Sequence, residues 1–458
     1  RLPGLTAVGE SAYALVIVAA SIAALLGLIL RARIPAFLAL LLVSAGFGIV
    51  YGMDPAAIIR SIQTGMGGTL GFVAVVVGLG AMLGALLEVS GGVRALSSGM
   101  LNVFGEKRAP LALGFVGFVV AIPVFLDVAL IILAPVLYGL TRRTGRPIVV
   151  FAIPLLAGLA VSHAFIPPTP GPIAVADILG ADLGLVIAFG AVAGLPAMLV
   201  AGPLFARWLE RQPAFQGGIP EGQDAESVSG GVGFLTALGI VLVPLVLIIT
   251  GTLVDSLGKA GMLELPVVVT RFIMFAGHPF IALMIACLLA WGICGQIHGM
   301  PAKTLTGAMV KALEPAGVVV LITGAGGAFK QILVDSEAGA ALAETLTATG
   351  MSPLLFGFAV AAIIRVAQGS ATVAMLTAAG IAAPVVELAG LSPGGTALMV
   401  LAIASGATVL SHVNDSGFWL VSRYLGLSEA QTLRSWTVTA TLVGLVGLTT
   451  TLVLSLFV

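Results

Sequence analysis

Long apolar stretches, separated by short polar segments, recur from one end of the chain to the other. A transmembrane helix needs roughly 20 consecutive apolar residues to cross about 30 Å of hydrocarbon. By this criterion the pattern predicts full spans at residues 12–30, 34–51, 67–89, 148–166, 183–207, 231–254, 272–294, 312–334, 396–422 and 436–458. We therefore predict an all-α polytopic membrane protein.

Two further apolar stretches, 110–141 and 352–385, are too long for one comfortable crossing. Pro123 interrupts the first near its middle, and Gln368-Gly369-Ser370 interrupts the second. We predict that both are re-entrant hairpins, which enter and leave the membrane on the same side. Irregular backbone at membrane depth is tolerated only where protein or a water-filled cavity surrounds it.

The basic residues support this topology. With the N-terminus outside, fourteen of the 20 Lys and Arg residues fall in inner loops and four in outer segments, as the positive-inside rule requires. A single crossing at 110–141 would instead place Arg142, Arg143 and Arg146 outside. Because the two hairpins then open to opposite sides, we predict two inverted-topology repeats, 1–208 and 231–458, joined by a polar cytoplasmic linker at 209–230.

Matched landmarks about 246 residues apart support the repeat. The pairs are Gly78-Leu-Gly80 with Gly324-Ala-Gly326, Ser90 with Ser336, Ser162-His163 with Ser411-His412, and Leu179-Gly180 with Leu425-Gly426. Each half also contains a span that is broken at membrane depth, at about 148–180 and about 396–422. Inverted repeats provide the two mirror-related conformations of alternating access, with the site where the halves meet. The pattern therefore predicts a transporter.

Composition narrows the class further. Hydrophobic residues make up 59% of the chain and charged residues only 9%, with zero net charge and no basic tract, which argues against nucleic-acid binding. We find no metal-ligand spacing, nucleotide loop or nucleophile elbow. We therefore expect neither an enzyme nor a bound cofactor or metal.

Ionisable side chains at mid-membrane cost about 2.5–3.5 kcal/mol on insertion scales, so each needs a reason. Asp127 lies near the tip of the first hairpin and Arg365 near the tip of the second. Arg365 is the candidate receptor for a substrate carboxylate, because its planar fork suits bidentate binding. Asp127 would then tune that charge or carry the coupled proton. The structural alternative is an Asp127–Arg365 ion pair that only locks the tips together.

The broken spans contain the other candidates. His163 precedes Pro167-Pro168-Thr169-Pro170-Gly171-Pro172, where four prolines in six residues cannot continue a helix. His412 precedes the second break, which keeps Asn414, Asp415 and Ser416. The helix ends freed by such breaks can bind ions, and histidine exchanges protons near neutral pH. Lys330 is a further candidate, although its side chain could simply snorkel.

These residues resemble the gluconate permease family of sugar-acid:proton symporters, part of the larger ion-transporter superfamily. The most specific similarities are Gly326 through Ser336, Arg365 through Ala374, Ser411 through Trp419, and Phe165 through Pro172. One departure is Thr169, where that family usually has a second histidine. Asp127 occupies a position where the family has an acidic residue.

The resemblance implies a homodimer in a bacterial inner membrane, with a central scaffold and a mobile transport domain that bears both hairpins and moves as an elevator. It also implies uptake of gluconate or a related sugar acid with a proton. Asp127, His163, His412 and Asp415 are the proton-coupling candidates. The substrate-binding candidates are Arg365, Gln368, Gly369, Ser370, Thr372, Ser162, His163, Thr169, Ser411, His412 and Asn414.

Two alternatives remain open at the level of the sequence. The nearer one is a sodium-coupled carboxylate or dicarboxylate transporter, or a symporter for another small hydroxy acid such as D-serine. Glycine-rich hairpin tips could supply the carbonyls and hydroxyls of a sodium site. A channel or a membrane-embedded enzyme is more distant.

Overall fold

The computed structural model describes residues 13, 16–18, 20–21, 23–25, 27–28, 31–105, 108–215, 231–259, 262–263, 265–336, 338, 351–413 and 415–458. Part of the predicted span 12–30, most of the predicted linker 209–230 and the candidate Asn414 lie outside these residues. Of the candidate Gln368, the backbone alone is described.

In the described part of the first half, all regular secondary structure is helical. Its helices are α1 (Ala36–Val50), α2 (Pro55–Val89), α3 (Gly92–Phe104), α4 (Ala109–Val120), α5 (Leu126–Thr144), α6 (Val149–Phe165), α7 (Pro170–Leu179), α8 (Leu183–Leu199) and α9 (Phe205–Glu210). A π-helical turn, Val200–Leu204, joins α8 to α9, and a short 3₁₀ turn, Pro213–Phe215, follows.

The second half has the same character. Its helices are α10 (Phe234–Lys259), α11 (Val267–Gly277), α12 (Pro279–Gly292), α13 (Ala302–Lys311), α14 (Leu313–Asp335), α15 (Pro353–Gln368), α16 (Ala371–Ala389), α17 (Pro393–Thr408), α18 (Ser416–Leu425), α19 (Glu429–Thr432) and α20 (Val438–Leu454). Two π-helical turns, Ile293–Ile297 after α12 and Leu433–Thr437 before α20, complete it.

In the part of the chain that the structure describes, eight helical segments are long and apolar enough to cross a membrane. This confirms the predicted all-α polytopic membrane protein. Many large apolar side chains, among them Val268, Phe272 and Leu288, are exposed at the protein surface. Such a surface is suited to hydrocarbon, because lipid tails are as apolar as these side chains.

Both stretches that are too long for one crossing contain two helices. Residues 121–125 separate α4 from α5, close to the predicted interruption at Pro123, and residues 369–370 separate α15 from α16. Gly369 has a φ of 83°, a left-handed conformation that glycine adopts without the steric penalty of a Cβ. The first helix of each pair packs on a broken span, α4 on α6 and α15 on α17.

Two predicted span boundaries were wrong. The span predicted at 67–89 begins at Pro55, because Asp54 caps the helix by accepting hydrogen bonds from the amides of Ala56 and Ala57. The span predicted at 272–294 is interrupted at His278, between α11 and α12. Pro279 excludes the helical conformation for the residue before it, and His278 accordingly has a ψ of 131°.

Sequence landmarks that recur along the chain adopt the same local structures. The hydroxyls of Ser90 and Ser336 end α2 and α14 by donating to Leu87 and Leu333, each at 3.2 Å. Gly180 ends α7 with a φ of 68°, and its counterpart Gly426 ends α18 with a φ of 63°. Both occupy the left-handed position that commonly terminates a helix.

Candidate functional site

A cavity of about 430 Å³ lies where the two breaks and the two hairpin tips meet, within the roughly 300–1,000 Å³ range of small-molecule sites. It is lined by Phe125, Leu126, Asp127, Ala160, His163, Ala164, Arg365, Gly369, Ser370, Ala371, Thr372, Thr408, Asp415, Ser416, Gly417, Trp436 and Ala440. Both chain halves contribute, so the cavity joins residues more than 300 positions apart in sequence.

Three helix N-termini meet at this cavity. Helix α5 begins at Leu126, α16 at Ala371 and α18 at Ser416, and all three residues line the cavity. The first backbone N–H groups of a helix have no partner within that helix, and the helix dipole places partial positive charge there. Three such ends around one cavity create an environment that favours an anion.

Arg365 is the one arginine or lysine among the described residues that line the cavity. It is 4% exposed and lies in the last turn of α15. Its Nη1 donates to the Gly369 carbonyl, and its Nη2 lies 2.5 Å from a carboxylate oxygen of Asp415. The Nε–H group is buried and has no partner among the described residues. The guanidinium therefore keeps one buried donor that no described residue satisfies.

The ion pair predicted as a structural alternative had the wrong partner. Arg365 pairs with Asp415 rather than with Asp127. Asp415 also accepts hydrogen bonds from the Ser411 hydroxyl and from the amide of Gly417, so it caps α18 at the same time. Both of its oxygens are thereby occupied. The break, not the opposite hairpin tip, holds the guanidinium.

Asp127 is in a different situation. It lies in the first turn of α5, where a helix N-terminus stabilises negative charge. Its side chain is exposed, and no hydrogen bond or ion pair to it occurs in the described part of the chain. Its carboxylate is thus available to a proton, to water or to a ligand hydroxyl.

His163 lies on the last turn of α6 and faces the same cavity. Its Nδ1 is buried without a hydrogen-bond partner among the described residues. The ring lies 6.4 Å from that of Phe125, centroid to centroid. A buried ring nitrogen without a partner costs free energy, so this position favours a ligand or water that supplies one.

Seven predicted site residues therefore line the cavity: Asp127, His163, Arg365, Gly369, Ser370, Thr372 and Asp415. Ser411 is buried behind it and contacts Asp415. The other described candidates do not line it, and their predicted substrate contacts stay predictions.

Those other candidates bind backbone carbonyls nearby. Ser162 donates to Phe118 at 2.5 Å and Thr169 donates to Ile166 at 2.6 Å. His412 Nε2 lies 3.0 Å from the carbonyl oxygen of Val366, which requires the ring N–H to donate. These contacts close the two breaks or join them to the neighbouring hairpin helix.

Lys330 also lies outside the cavity lining. Its ammonium donates to the carbonyl of Ile178 at 2.6 Å, in the last turn of α7, and lies 3.7 Å from Glu387. A cation is stabilised at a helix C-terminus. In the second half, the equivalent carbonyl of Tyr424 accepts a hydrogen bond from the Tyr138 hydroxyl at 2.6 Å.

Phe125, Thr408, Ser416 and Trp436 also line the cavity, although they were not among the predicted site residues. Trp436 opened a predicted span, and tryptophan at a span end usually marks the membrane interface. Ser416 could have been predicted, because it follows Asp415 in a break that the sequence pattern had already identified.

Comparisons with known proteins match nearly the whole chain. The model of the family described as GntP family permease matches residues 13–457. The low-affinity gluconate transporter of Escherichia coli K12 is 42% identical over 429 residues, which cover 93% of this chain and 95% of that protein. The Gnt-II system L-idonate transporter of the same organism is 37% identical over 442 residues, covering 95% and 97%.

Relatives from other bacteria show the same extent of similarity. The gluconate permease of Pseudomonas aeruginosa PAO1 is 37% identical over 457 residues, covering 98% of each chain. Among solved structures, the YdaH transporter of Alcanivorax borkumensis has a TM-score of 0.65 at 17% identity, covering 92% of this chain and 97% of that one. The latter similarity concerns the fold alone.

Proposed function

Because the chain belongs to the GntP permease family, we propose that it takes up gluconate or a closely related sugar acid together with a proton. The chain is a multi-pass permease of a bacterial inner membrane, not an enzyme. One observation carries the proposal. Among the described residues, the cavity combines three helix N-termini, one buried guanidinium and the carboxylate of Asp127, which has no partner there.

The sugar-acid carboxylate binds at Arg365 and the helix N-termini. A carboxylate that leaves water for a buried site is strongly disfavoured unless a cation or several donors receive it. The Arg365 guanidinium is such a cation, and the first amides of α16 and α18 that Ser370 and Asp415 do not already cap are such donors. Because Asp415 occupies one side of the guanidinium, we propose a single charge-assisted contact in place of the bidentate one that the sequence suggested.

The hydroxyls of the substrate bind the polar groups around the cavity. Ser370, Thr372 and Thr408 offer hydroxyls, while Asp127 and His163 offer acceptor oxygens and a ring nitrogen. Gln368 is one residue from this lining, and Asn414 precedes Asp415, so both stay proposed contacts. A chain of neighbouring hydroxyls is the feature that gluconate and idonate share.

Charge balance gives a reason for proton coupling. Among the described lining residues, Asp127 and Asp415 face a single fixed cation, Arg365. A substrate anion would raise the imbalance to three negative charges against one positive charge. In a site of low dielectric constant such an excess is costly. A proton on Asp127 removes one negative charge, so we propose that proton and substrate bind together.

The proposed transport cycle uses the two halves of the chain as its two related parts. We propose that residues 1–208 and 231–458 are inverted repeats and that α4–α7 and α15–α18 form the mobile transport domain of an elevator. The matched ends of α2 with α14 and of α7 with α18 support the repeat. We also propose that the scaffold forms a homodimer, which the resemblance implies.

Transport into proteoliposomes tests the proposal. An inward proton gradient should drive accumulation of gluconate, and a protonophore should abolish it. Replacing sodium with choline on both sides should leave accumulation unchanged. Accumulation that survives the protonophore and follows sodium would contradict proton coupling, whereas an absence of any gluconate uptake would contradict the proposed substrate.

A further inference from the structure

Trp436 lines the cavity and also binds Ser411, whose hydroxyl contacts the carboxylate that holds Arg365. Its indole Nε1–H donates to the Ser411 hydroxyl oxygen at 2.7 Å. The Ser411 hydroxyl donates to Asp415, and Asp415 receives Arg365 at 2.5 Å. We propose that Trp436 is a positioning residue, which sets the orientation of the Arg365 guanidinium for the substrate anion through Ser411 and Asp415.

The direction of each hydrogen bond supports a relay. An indole nitrogen can only donate, so it fixes the Ser411 oxygen as an acceptor. The serine proton is then directed at Asp415, whose carboxylate can only accept. Asp415 in turn orients the guanidinium of Arg365, whose N–H donors form a rigid planar fork. The three links from Trp436 to Arg365 are each satisfied in one direction only, and satisfied hydrogen bonds in a buried network rigidify a site.

The backbone around Trp436 forms a π-helical turn that is hydrogen-bonded to the second break. Trp436 lies in the π-helical turn Leu433–Thr437, a local form of helix that often occurs at functional sites. The adjacent Thr437 donates to the carbonyl of Ser411, and Thr441 accepts a hydrogen bond from the amide of Leu410 at 3.1 Å. The π-helical turn and the first turn of α20 therefore bind the second break through three hydrogen bonds, one to Leu410 and two to Ser411.

Burial strengthens the hydrogen bonds of the relay that orients Arg365. Trp436 is 4% exposed, Ser411 is 1% exposed and Arg365 is 4% exposed. Hydrogen bonds in such surroundings are electrostatically stronger than in water, and leaving one member unsatisfied has a high cost. If Trp436 loses its N–H group, the Ser411 hydroxyl can rotate and release Asp415. The guanidinium then loses its fixed orientation without losing its charge.

The test compares two tryptophans that donate to the same break. Trp436→Phe keeps a ring in the cavity and removes the N–H group. Trp419→Phe is the matched control, because Trp419 donates at 2.8 Å to the carbonyl of Val413 and does not line the cavity. The measurements are the KM and maximal rate of gluconate uptake, at equal amounts of folded protein in the membrane.

This inference rests on the proposed function, since it concerns the binding of the same anion. We expect Trp436→Phe to raise the KM about five- to tenfold, the effect of one lost buried hydrogen bond, with little change in the maximal rate. Trp419→Phe should keep the wild-type KM. An unchanged KM in Trp436→Phe, or an equal rise in both variants, would overturn the proposal.

A double-mutant cycle separates positioning from a general loss of packing. Ser411→Ala interrupts the same relay, so the double variant Trp436→Phe/Ser411→Ala should be no worse than either single variant. Effects that multiply would overturn the relay. If Trp436→Phe fails to reach the membrane, the test of the relay rests on Ser411→Ala. A wild-type KM for gluconate in Ser411→Ala would also overturn the relay. Failure of wild-type gluconate uptake would instead contradict the proposed function.

Discussion

The Arg365 guanidinium lies 2.5 Å from the carboxylate of Asp415, 50 positions later in the chain, and this pair joins the second hairpin to the second break. Both side chains are largely buried, at 4% and 14% exposure. The pair leaves the Nε–H group of Arg365 unpartnered among the described residues. The cavity is therefore lined by a cation that its ion pair holds in place.

Replacing Arg365 should nearly abolish substrate binding. Truncating one member of a buried charge pair costs about 2–5 kcal/mol, which corresponds to a loss of affinity of at least about 30-fold. Arg365→Gln should show this loss for gluconate in a binding assay on purified protein. Arg365→Lys keeps the charge but cannot bind Asp415 and a ligand in the same geometry, so it should also bind more weakly.

A double variant distinguishes an anchor from a structural ion pair. Arg365→Gln leaves Asp415 without its cation, and Asp415→Asn removes that unpaired charge. If Arg365 only stabilises the fold, Arg365→Gln/Asp415→Asn should regain wild-type affinity. We expect its folding to recover while its affinity for gluconate stays low, since the substrate anion still has no cation.

Removing the titratable group of Asp127 should uncouple the proton from the substrate. Asp127→Asn mimics the protonated side chain, so gluconate should still bind and exchange by counterflow. Uptake driven by a proton gradient should be lost, because no proton is carried. Asp335→Asn is a suitable control, as Asp335 binds Ser61 and Gln331 outside the cavity lining. Equal loss of counterflow and driven uptake in Asp127→Asn would contradict the assignment.

The affinity for gluconate should depend on pH through the same residue. Substrate and ionised Asp127 repel each other, so protonation of Asp127 favours binding, and affinity should rise as the pH falls. Across about pH 5 to 8 the sugar acid itself stays ionised. Isothermal titration should show this rise for the wild-type protein and a nearly flat profile for Asp127→Asn. A parallel slope in both would exclude Asp127 as the titrating group.

Adding one methyl group at Gly84 should displace the tip of the first hairpin. A Cβ at this position would lie 2.1 Å from the carbonyl oxygen of Pro123, which is backbone and cannot rotate away. Gly84→Ala should therefore impair gluconate binding, because Asp127 follows that tip. Gly78→Ala on the same helix has a nearest neighbour at 3.6 Å and should bind normally. Normal affinity in Gly84→Ala would show that the tip tolerates the shift.

Lys330 should matter for stability and not for substrate affinity. Lys330→Met keeps the length of the side chain and removes its contacts with Ile178 and Glu387. The loss should lower the free energy of unfolding by about 1–2 kcal/mol, as for a hydrogen bond to a charged group that is partly exposed. Tyr138→Phe removes the equivalent contact in the other half and provides the comparison. A large drop in gluconate affinity for Lys330→Met, without a similar drop for Tyr138→Phe, would show that Lys330 takes part in substrate binding.

Much of the architecture followed from the chain itself. Apolar stretches of the length of a bilayer predicted the helices, and prolines and glycines predicted their interruptions at Pro123, at Gly369 and at the first break. The second break was predicted from its match to the first and from its small polar residues. Prolines and glycines act locally, because a missing backbone donor or a missing Cβ acts on its own segment. Asp127 and Arg365 stood out for the same reason, since a charge within an apolar stretch is visible without knowledge of its neighbours.

The partners of those charges depended on the tertiary structure. The pair Arg365–Asp415 and the indole of Trp436 in the cavity could not be predicted from spacing. Nor could the carboxylate of Asp127, which has no partner in the described part of the chain. A charged side chain in a low-dielectric interior pairs with whichever group the packing brings within a few ångströms, and that group can lie anywhere in the sequence. The sequence by itself determined which segments break and which charges need a partner. Only the packing of the two halves decided which partner each charge received.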